Sequence, residues 1–476
     1  MIEKQSKLTG FLEKLFWLYL FINPLLDIFN GFYINLVGNV HVLDVEFIST
    51  LGVTPSLIIR LIFLAIFALY ILLERDWKNV IAACIIGLAW ALSVVSEYLN
   101  LGRIAFFIDA QYMARFCYNI VVLMVFSRIF ANRWGHDGKD LLGQLNTVII
   151  YTMIVLSLAV LIPAIFGLGY STYADIRGYR GNRGFFYAGN DITAILSILL
   201  PILIALEMCS AENSEKMSGK AKFAFLPALA AALGTNAMMV IGSKTAFLAL
   251  LISYLAMLAA GIIAAINQHK TDYIKGFIYV ALTAVAVCLL VNLIAILQHL
   301  NQIITEYGGL TWKGIYSCSI FSTVVSSVNT TEELLAQDIG NSLLNGRHVK
   351  LADQLAQFRA GGIITWLFGL GRGSQEVVIE MDLFEVLCYY GIFGFAAMLW
   401  LYLKLAVDFL KNFFKKLSLA SVAAFLAIGM TAGYLAIAGH VLFSVTSGFY
   451  FSFAILFSRV LFAERPQDIL LWKTKA

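Results

Sequence analysis

The chain has 476 residues, 61% of them hydrophobic and 13% charged, with a formal net charge of +4 and a mean hydropathy of +0.84. Ordinary soluble chains are about 45–50% apolar and about 25% charged, so these values exclude a soluble globular enzyme, a disordered chain and a nucleic-acid binder. The net charge says less than its distribution, because Lys and Arg orient a membrane protein by where they fall.

A helix needs about 20 apolar residues to cross the hydrocarbon core. Spans are predicted at 11–30, 55–73, 79–98, 108–130, 144–168, 188–208, 222–241, 245–266, 274–297, 382–407, 417–438 and 441–463. The pair 222–241 and 245–266 is separated by a short Gly-Ser-Lys-Thr turn. The first span reads as a retained helix and not a cleaved signal, since Glu13 and Lys14 interrupt its start and no small-residue cleavage site follows. The fold class expected is an all-α polytopic bundle of about twelve transmembrane helices.

Lys and Arg favour the segments that are inner when the N-terminus is cytoplasmic, among them Arg75, Lys78, Arg128, Arg133, Lys404, Lys411, Lys415, Lys416 and Arg459. Both termini are therefore expected in the cytoplasm. The organisation that follows is one integrated membrane domain: helices over 1–297, a large extracytoplasmic loop over 298–381, then three helices and a cytoplasmic tail over 382–476. In the large loop, Thr330-Thr331-Glu332-Glu333 offers a capping box before Leu334, Leu335, Ile339, Leu343 and Leu344, and Leu351, Leu355 and Phe358 continue a helical spacing. Short amphipathic helices lying over the bundle are expected there.

The outer loop 170–191 reads YSTYADIRGYRGNRGFFYAGND. Arg177, Arg180 and Arg183 recur every third residue among glycines that let the backbone approach a ligand. Arginine forks match phosphate oxygens. The competing reading is pairing with lipid headgroups or with Asp175 and Asp191. Lys244, in GSKTA, is either a snorkelling cation or a second cation facing the same phosphate. Asp27, Arg60, Glu97, Asp109 and Arg115 lie in or beside the outer halves of spans, where ionisable groups line a cavity or pair internally. Glu380 and Asp382 precede the tenth span; each can serve as a general base or as an N-terminal charge favoured by the helix dipole. His440 is a further titratable group at an outer turn. Six scattered cysteines lack CxxC spacing and read as small core hydrophobes, so no metal is expected.

A dozen spans, the Arg/Gly-rich loop ending in FYAGND, GSKTA after an apolar run, a large late outer loop and LFGLG…EMD…YYGIFG together resemble the O-antigen ligase and polymerase family. The resemblance implies a GT-C-like, metal-independent glycosyltransferase without a cofactor, acting on undecaprenyl-diphosphate-linked oligosaccharide outside the cytoplasmic membrane. Membrane lipids, and in some systems a chain-length regulator, are the partners it implies. In the ligase branch a His often stands near the place of Glu380; its absence favours the Wzy-type polymerase branch. On this reading Arg177, Arg180, Arg183, Lys244 and Arg347 hold the diphosphate, and Glu380, Asp382 or His440 acts on the acceptor. The alternatives are a ligase of the same family, a lipid-linked-oligosaccharide flippase, and a secondary transporter, which would show repeat symmetry and broken helices around a midplane site.

Overall fold

The computed structural model describes residues 7–39, 54–172, 181–218, 224–269, 271–307, 311–312, 319, 346–373, 375, 378–439 and 441–472. Its long helices are α1 (Lys7–Asn39), α2 (Pro55–Leu73), α3 (Trp77–Leu101), α4 (Phe106–Gly135), α5 (Asp140–Phe166), α6 (Gly189–Ser218), α7 (Phe225–Ile241), α8 (Lys244–Gln268) and α9 (Asp272–Gln298). Then come the short α10 (Leu300–Tyr307), α11 (Arg347–Ala360) and α12 (Ile363–Phe368), the long α13 (Asp382–Lys415) and α14 (Leu419–Ile437), and finally α15 (Ser447–Phe462) and α16 (Pro466–Ile469). Ten helices among the described residues are long and apolar enough to span a membrane, and α7 and α15 are shorter apolar helices. The chain is an all-α, multi-pass membrane protein, and its spans fall where the apolar runs were predicted.

The run Phe106–Phe166 is one stretch of helical backbone but two arms in space. At 1.5 Å per residue a straight run would separate Phe126 from Tyr151 by about 37 Å. Yet their rings lie 6.4 Å from Phe16 and 5.3 Å from Phe21, close neighbours on α1. The run therefore reverses between Phe126 and Tyr151.

The Gly189–Ala211 part of α6 is the centre of the bundle, predominantly apolar and almost wholly buried. α7 packs close to its neighbours because it is built from Ala228, Ala230, Ala231, Ala232, Gly234 and Ala237; a Cβ on Gly234 would meet the Met153 methyl at 1.9 Å. Small residues let helix backbones approach where lipid supplies no hydrophobic drive. In the opposite sense, Leu and Ile side chains stay exposed on the outer faces of α2, α3, α8 and α9, as expected of surfaces that meet lipid.

One buried polar knot ties α1 to α2. Arg60 is paired with Asp27 and also donates to Asn23 Oδ1 and Ser56 Oγ, each at 3.2 Å. Of the two roles open to these charges in the sequence, internal pairing is the one seen. Removing one partner strands a buried charge, which costs about 3–5 kcal/mol. Asp27→Asn is therefore expected to lower the melting temperature sharply in detergent, with Asp27→Asn/Arg60→Gln recovering part of the loss. An Asp27→Asn protein as stable as the parent would show that the pair does not hold α1 to α2.

The start of α1 and the last described residues share one end of the bundle. Glu13 accepts from Tyr70 and Asn132, both at 2.9 Å, while Trp472 Nε1–H donates to Asn79 at 2.6 Å. Lys416 meets Glu464 at 2.6 Å at the same end. The positive-inside bias of the sequence predicts that this end is cytoplasmic, and labelling tests that orientation directly. An impermeant maleimide should modify Ala352→Cys on α11 in intact cells and Gln467→Cys on α16 only after permeabilisation. The opposite pattern would invert the protein in the membrane.

Candidate active site

The opposite end is organised by a break in α13. Gly391, inside the apolar run YYGIFG, has φ 68°, a conformation that glycine adopts without steric cost. A break there leaves carbonyls of the preceding turn without intrahelical partners. They are met by a strap, residues 369–373, that follows α12. Leu370 N–H donates to Cys388 O at 2.9 Å and Gly371 N–H to Tyr389 O at 3.0 Å. From α3, Ser93 donates to Tyr389 O at 2.8 Å and Ser96 to Gly369 O at 2.6 Å. A Cβ on Gly369 would meet Tyr389 O at 2.2 Å, so the strap's contact with the break needs glycine.

The strap delivers the chain to Glu380, a non-glycine residue at φ 61°. Such a conformation costs about 1–3 kcal/mol and persists only where its surroundings hold it. Here Glu380 N–H donates to Glu385 Oε1 at 2.8 Å. Its carboxylate accepts from Arg347 Nε at 3.2 Å and Lys350 Nζ at 2.9 Å, two cations on the first turn of α11. The Glu380 side chain keeps 30% of its surface exposed. Asp382 differs: it is fully buried, and Oδ2 accepts the N–H groups of Val441 at 2.7 Å and Leu442 at 2.8 Å. It fastens the head of α13 to the segment that leads into α15. Leu351, Leu355 and Phe358 turn the apolar face of α11 onto the core.

The arginine loop is wedged into the same end. Gly181 and Gly184 have φ 66° and 62°, and Cβ atoms there would meet Ile241 O at 2.1 Å and Ala159 O at 2.2 Å. Asn182 N–H donates to Val240 O at 2.8 Å, and Thr172 Oγ1–H to Ile241 O at 2.9 Å. The loop is thus seated on the α7–α8 turn, where Gly242 reverses the chain in the left-handed region and Ser243 caps α8 by accepting from Ala246 N–H at 3.1 Å. Arg183 leaves this junction toward α1 and donates to Asn35 Oδ1 at 3.4 Å. Lys244 is the first residue of α8. Arg177, Arg180 and His440 lie outside the described residues.

Asp191, in the first turn of α6, joins the two halves by accepting from Ser447 Oγ–H at 3.2 Å. The structure therefore brings Arg183 and Lys244 to one loop–turn junction and sets Arg347 against Glu380. Residues 9–309 match the family described as O-antigen ligase like membrane protein. The chain belongs to that family. No curated protein and no solved structure matches it.

The match of this O-antigen ligase-like protein covers α1 to α10, and with them the arginine loop and the α7–α8 turn. The strap, Glu380 and Asp382 lie beyond it. In chemical terms this end of the bundle offers cations that can hold an oxyanion and a partly exposed carboxylate that can take a proton. Two more cations meet at Tyr112: the guanidinium of Arg372 on the strap lies 4.1 Å from its ring centroid and that of Arg115 on α4 lies 5.6 Å from it. The sequence marks Arg115 as a charge beside a span but does not assign it to the site, and Arg372 does not stand out there. The signal was thin: Arg372 hides in a glycine-rich stretch, and its partner Tyr112 lies 260 positions away.

Proposed function

We propose that the protein polymerises undecaprenyl-diphosphate-linked oligosaccharide repeat units on the outer face of the cytoplasmic membrane, with both termini in the cytoplasm. Family membership supports a membrane glycan ligase or polymerase. The observation that carries the finer reading is that cations seated on one loop–turn junction share an end of the bundle with Glu380. In the reaction, an acceptor sugar hydroxyl attacks the donor's anomeric carbon. The bond from that carbon to the diphosphate oxygen breaks, and undecaprenyl diphosphate leaves.

Negative charge grows on the leaving oxygen, so preorganised cations stabilise the transition state more than the ground state. We assign this to Arg183 and Lys244, with Arg177 and Arg180 of the same loop. The hydroxyl proton goes to Glu380, which exchanges its pair with Lys350 or Arg347 for the acceptor. Asp382, committed to two backbone N–H groups, positions Glu380 and the 441–446 segment; His440 is the reserve acceptor of the proton.

The ligase reading keeps the donor and changes the acceptor, and the family's own description favours it as the second reading. Deleting the gene separates the two. Loss of the polymerase leaves single lipid-linked repeat units and no long chains. Loss of a ligase leaves long chains still attached to the lipid carrier, and that outcome would overturn the proposal.

A further inference from the structure

We propose that Arg115 and Arg372 form a carboxylate-binding subsite, which takes an acidic sugar of the glycan substrate; that the ligand is a glycan rests on the function proposed above. Arg372 is only 5% exposed. Its guanidinium lies 4.1 Å from the Tyr112 ring centroid and 5.5 Å from that of Tyr389. Nη2 donates to Tyr112 Oη at 2.7 Å and Nη1 to Gln375 O at 3.2 Å. The buried Nε has no hydrogen-bond partner. Arg115, three residues beyond Tyr112 on α4, places its guanidinium 5.6 Å from the same ring, close enough to Arg372 for the two charges to repel. Among the described residues neither arginine forms an ion pair.

The carboxylates nearby are otherwise engaged. Asp191, whose field reaches Arg115, accepts from Ser447 at 3.2 Å. Asp109 accepts the backbone N–H of Arg372 at 3.1 Å and bonds to Glu97. Glu385 accepts from Glu380 N–H. A buried charge without a counter-ion is costly, and a second like charge beside it adds to the cost. One oxyanion between the two forks removes both penalties, and guanidinium edges match a carboxylate in bidentate geometry.

A carboxylate fits better than a second diphosphate. Asp191 already lowers the positive potential at Arg115, so a single negative charge suffices. The multiply charged diphosphate has its own cations at the loop–turn junction. Tyr112, which is partly exposed, adds a ring against which a sugar can pack. The subsite would make acidic repeat units the preferred substrates.

Saturation-transfer NMR on the full-length protein in detergent tests this with methyl β-D-glucuronide and methyl β-D-glucoside as probes. The expected result is a preference for the glucuronide of about tenfold or more, the size of one charge-assisted bidentate contact. Arg372→Gln and Arg115→Gln should each bring the preference toward unity. Arg372→Lys, which keeps the charge and loses the fork, should fall between. Asp191→Asn should sharpen the preference by removing a nearby negative charge. Arg115 is partly exposed, so its variant remains informative if the buried Arg372→Gln fails to fold. Equal binding of the two glycosides by the parent protein would overturn the subsite. So would displacement of the glucuronide by inorganic pyrophosphate in an Arg372-dependent way, since the arginines would then belong to the diphosphate site. Failure of chain growth with the glucuronide preference intact would count against the polymerase reading alone.

Discussion

Glu380→Gln is expected to slow chain growth by about 10²–10⁴-fold, the usual contribution of a positioned general base, while the lipid-linked donor still binds. The substitution keeps volume and removes the charge that accepts the proton. Its structural cost is small: the pairs with Arg347 and Lys350 sit at a partly exposed carboxylate, where ion pairs contribute about 0–1 kcal/mol. The backbone bond from Glu380 N–H to Glu385 survives, since it does not use the substituted side chain. Asp382→Asn supplies the contrast. Asp382 is buried and holds two backbone donors, so its variant should lose thermal stability and lose activity only in proportion to the folded protein lost. Initial rates with purified lipid-linked repeat units, set beside melting transitions, separate the two patterns. Near-normal growth by Glu380→Gln would remove it from the mechanism and make His440 the next residue to test.

Arg183→Ala and Lys244→Ala are each expected to lower the rate by about 10²–10³-fold, as removal of one preorganised donor to a developing oxyanion does. The loop should keep its shape in both variants. Its register depends on main-chain bonds, Asn182 to Val240 and Arg183 N–H to Tyr170 O at 2.9 Å, and on glycines that no side chain could replace. Arg183→Lys should retain part of the activity, because lysine keeps the charge but cannot present a fork. The double alanine variant should lose less than the product of the single losses, since cations acting on one leaving group are not additive. If both alanine variants polymerise normally at normal expression, the cations anchor lipid headgroups and the diphosphate lies elsewhere.

The spans were legible because burial in lipid demands unbroken apolar length, and the sequence states that length openly. Even α7, with 17 residues, lies inside the predicted apolar run 222–241, which only a short Gly-Ser-Lys-Thr turn parts from the next span. What the hydropathy pattern conceals is where an apolar run stops being helix. Val441, Leu442 and Phe443 read as the start of the last span, yet α15 begins at Ser447. The three residues are buried for a different reason, two of them by giving their N–H groups to Asp382. The break at Gly391 is equally silent, because a glycine between Tyr390 and Ile392 looks like any small residue in a membrane helix. Of the site, the arginine loop and the acidic pair were visible as local patterns. The division of labour between Glu380 and Asp382 was not, since it depends on which carboxylate meets α11 and which meets residues 441–442. The Arg115–Arg372 pair was hidden by chain distance.

The proposed activity is the joining of repeat units to one another on a lipid diphosphate carrier. Purified protein given only undecaprenyl-diphosphate-linked repeat units, with no other acceptor and no added metal or cofactor, measures it. A ladder of chain lengths, each step releasing one undecaprenyl diphosphate, is the expected result, and Glu380→Gln should abolish the ladder. No ladder under these conditions, with transfer of a single glycan appearing when a different acceptor is supplied, would contradict the account and make the protein a ligase.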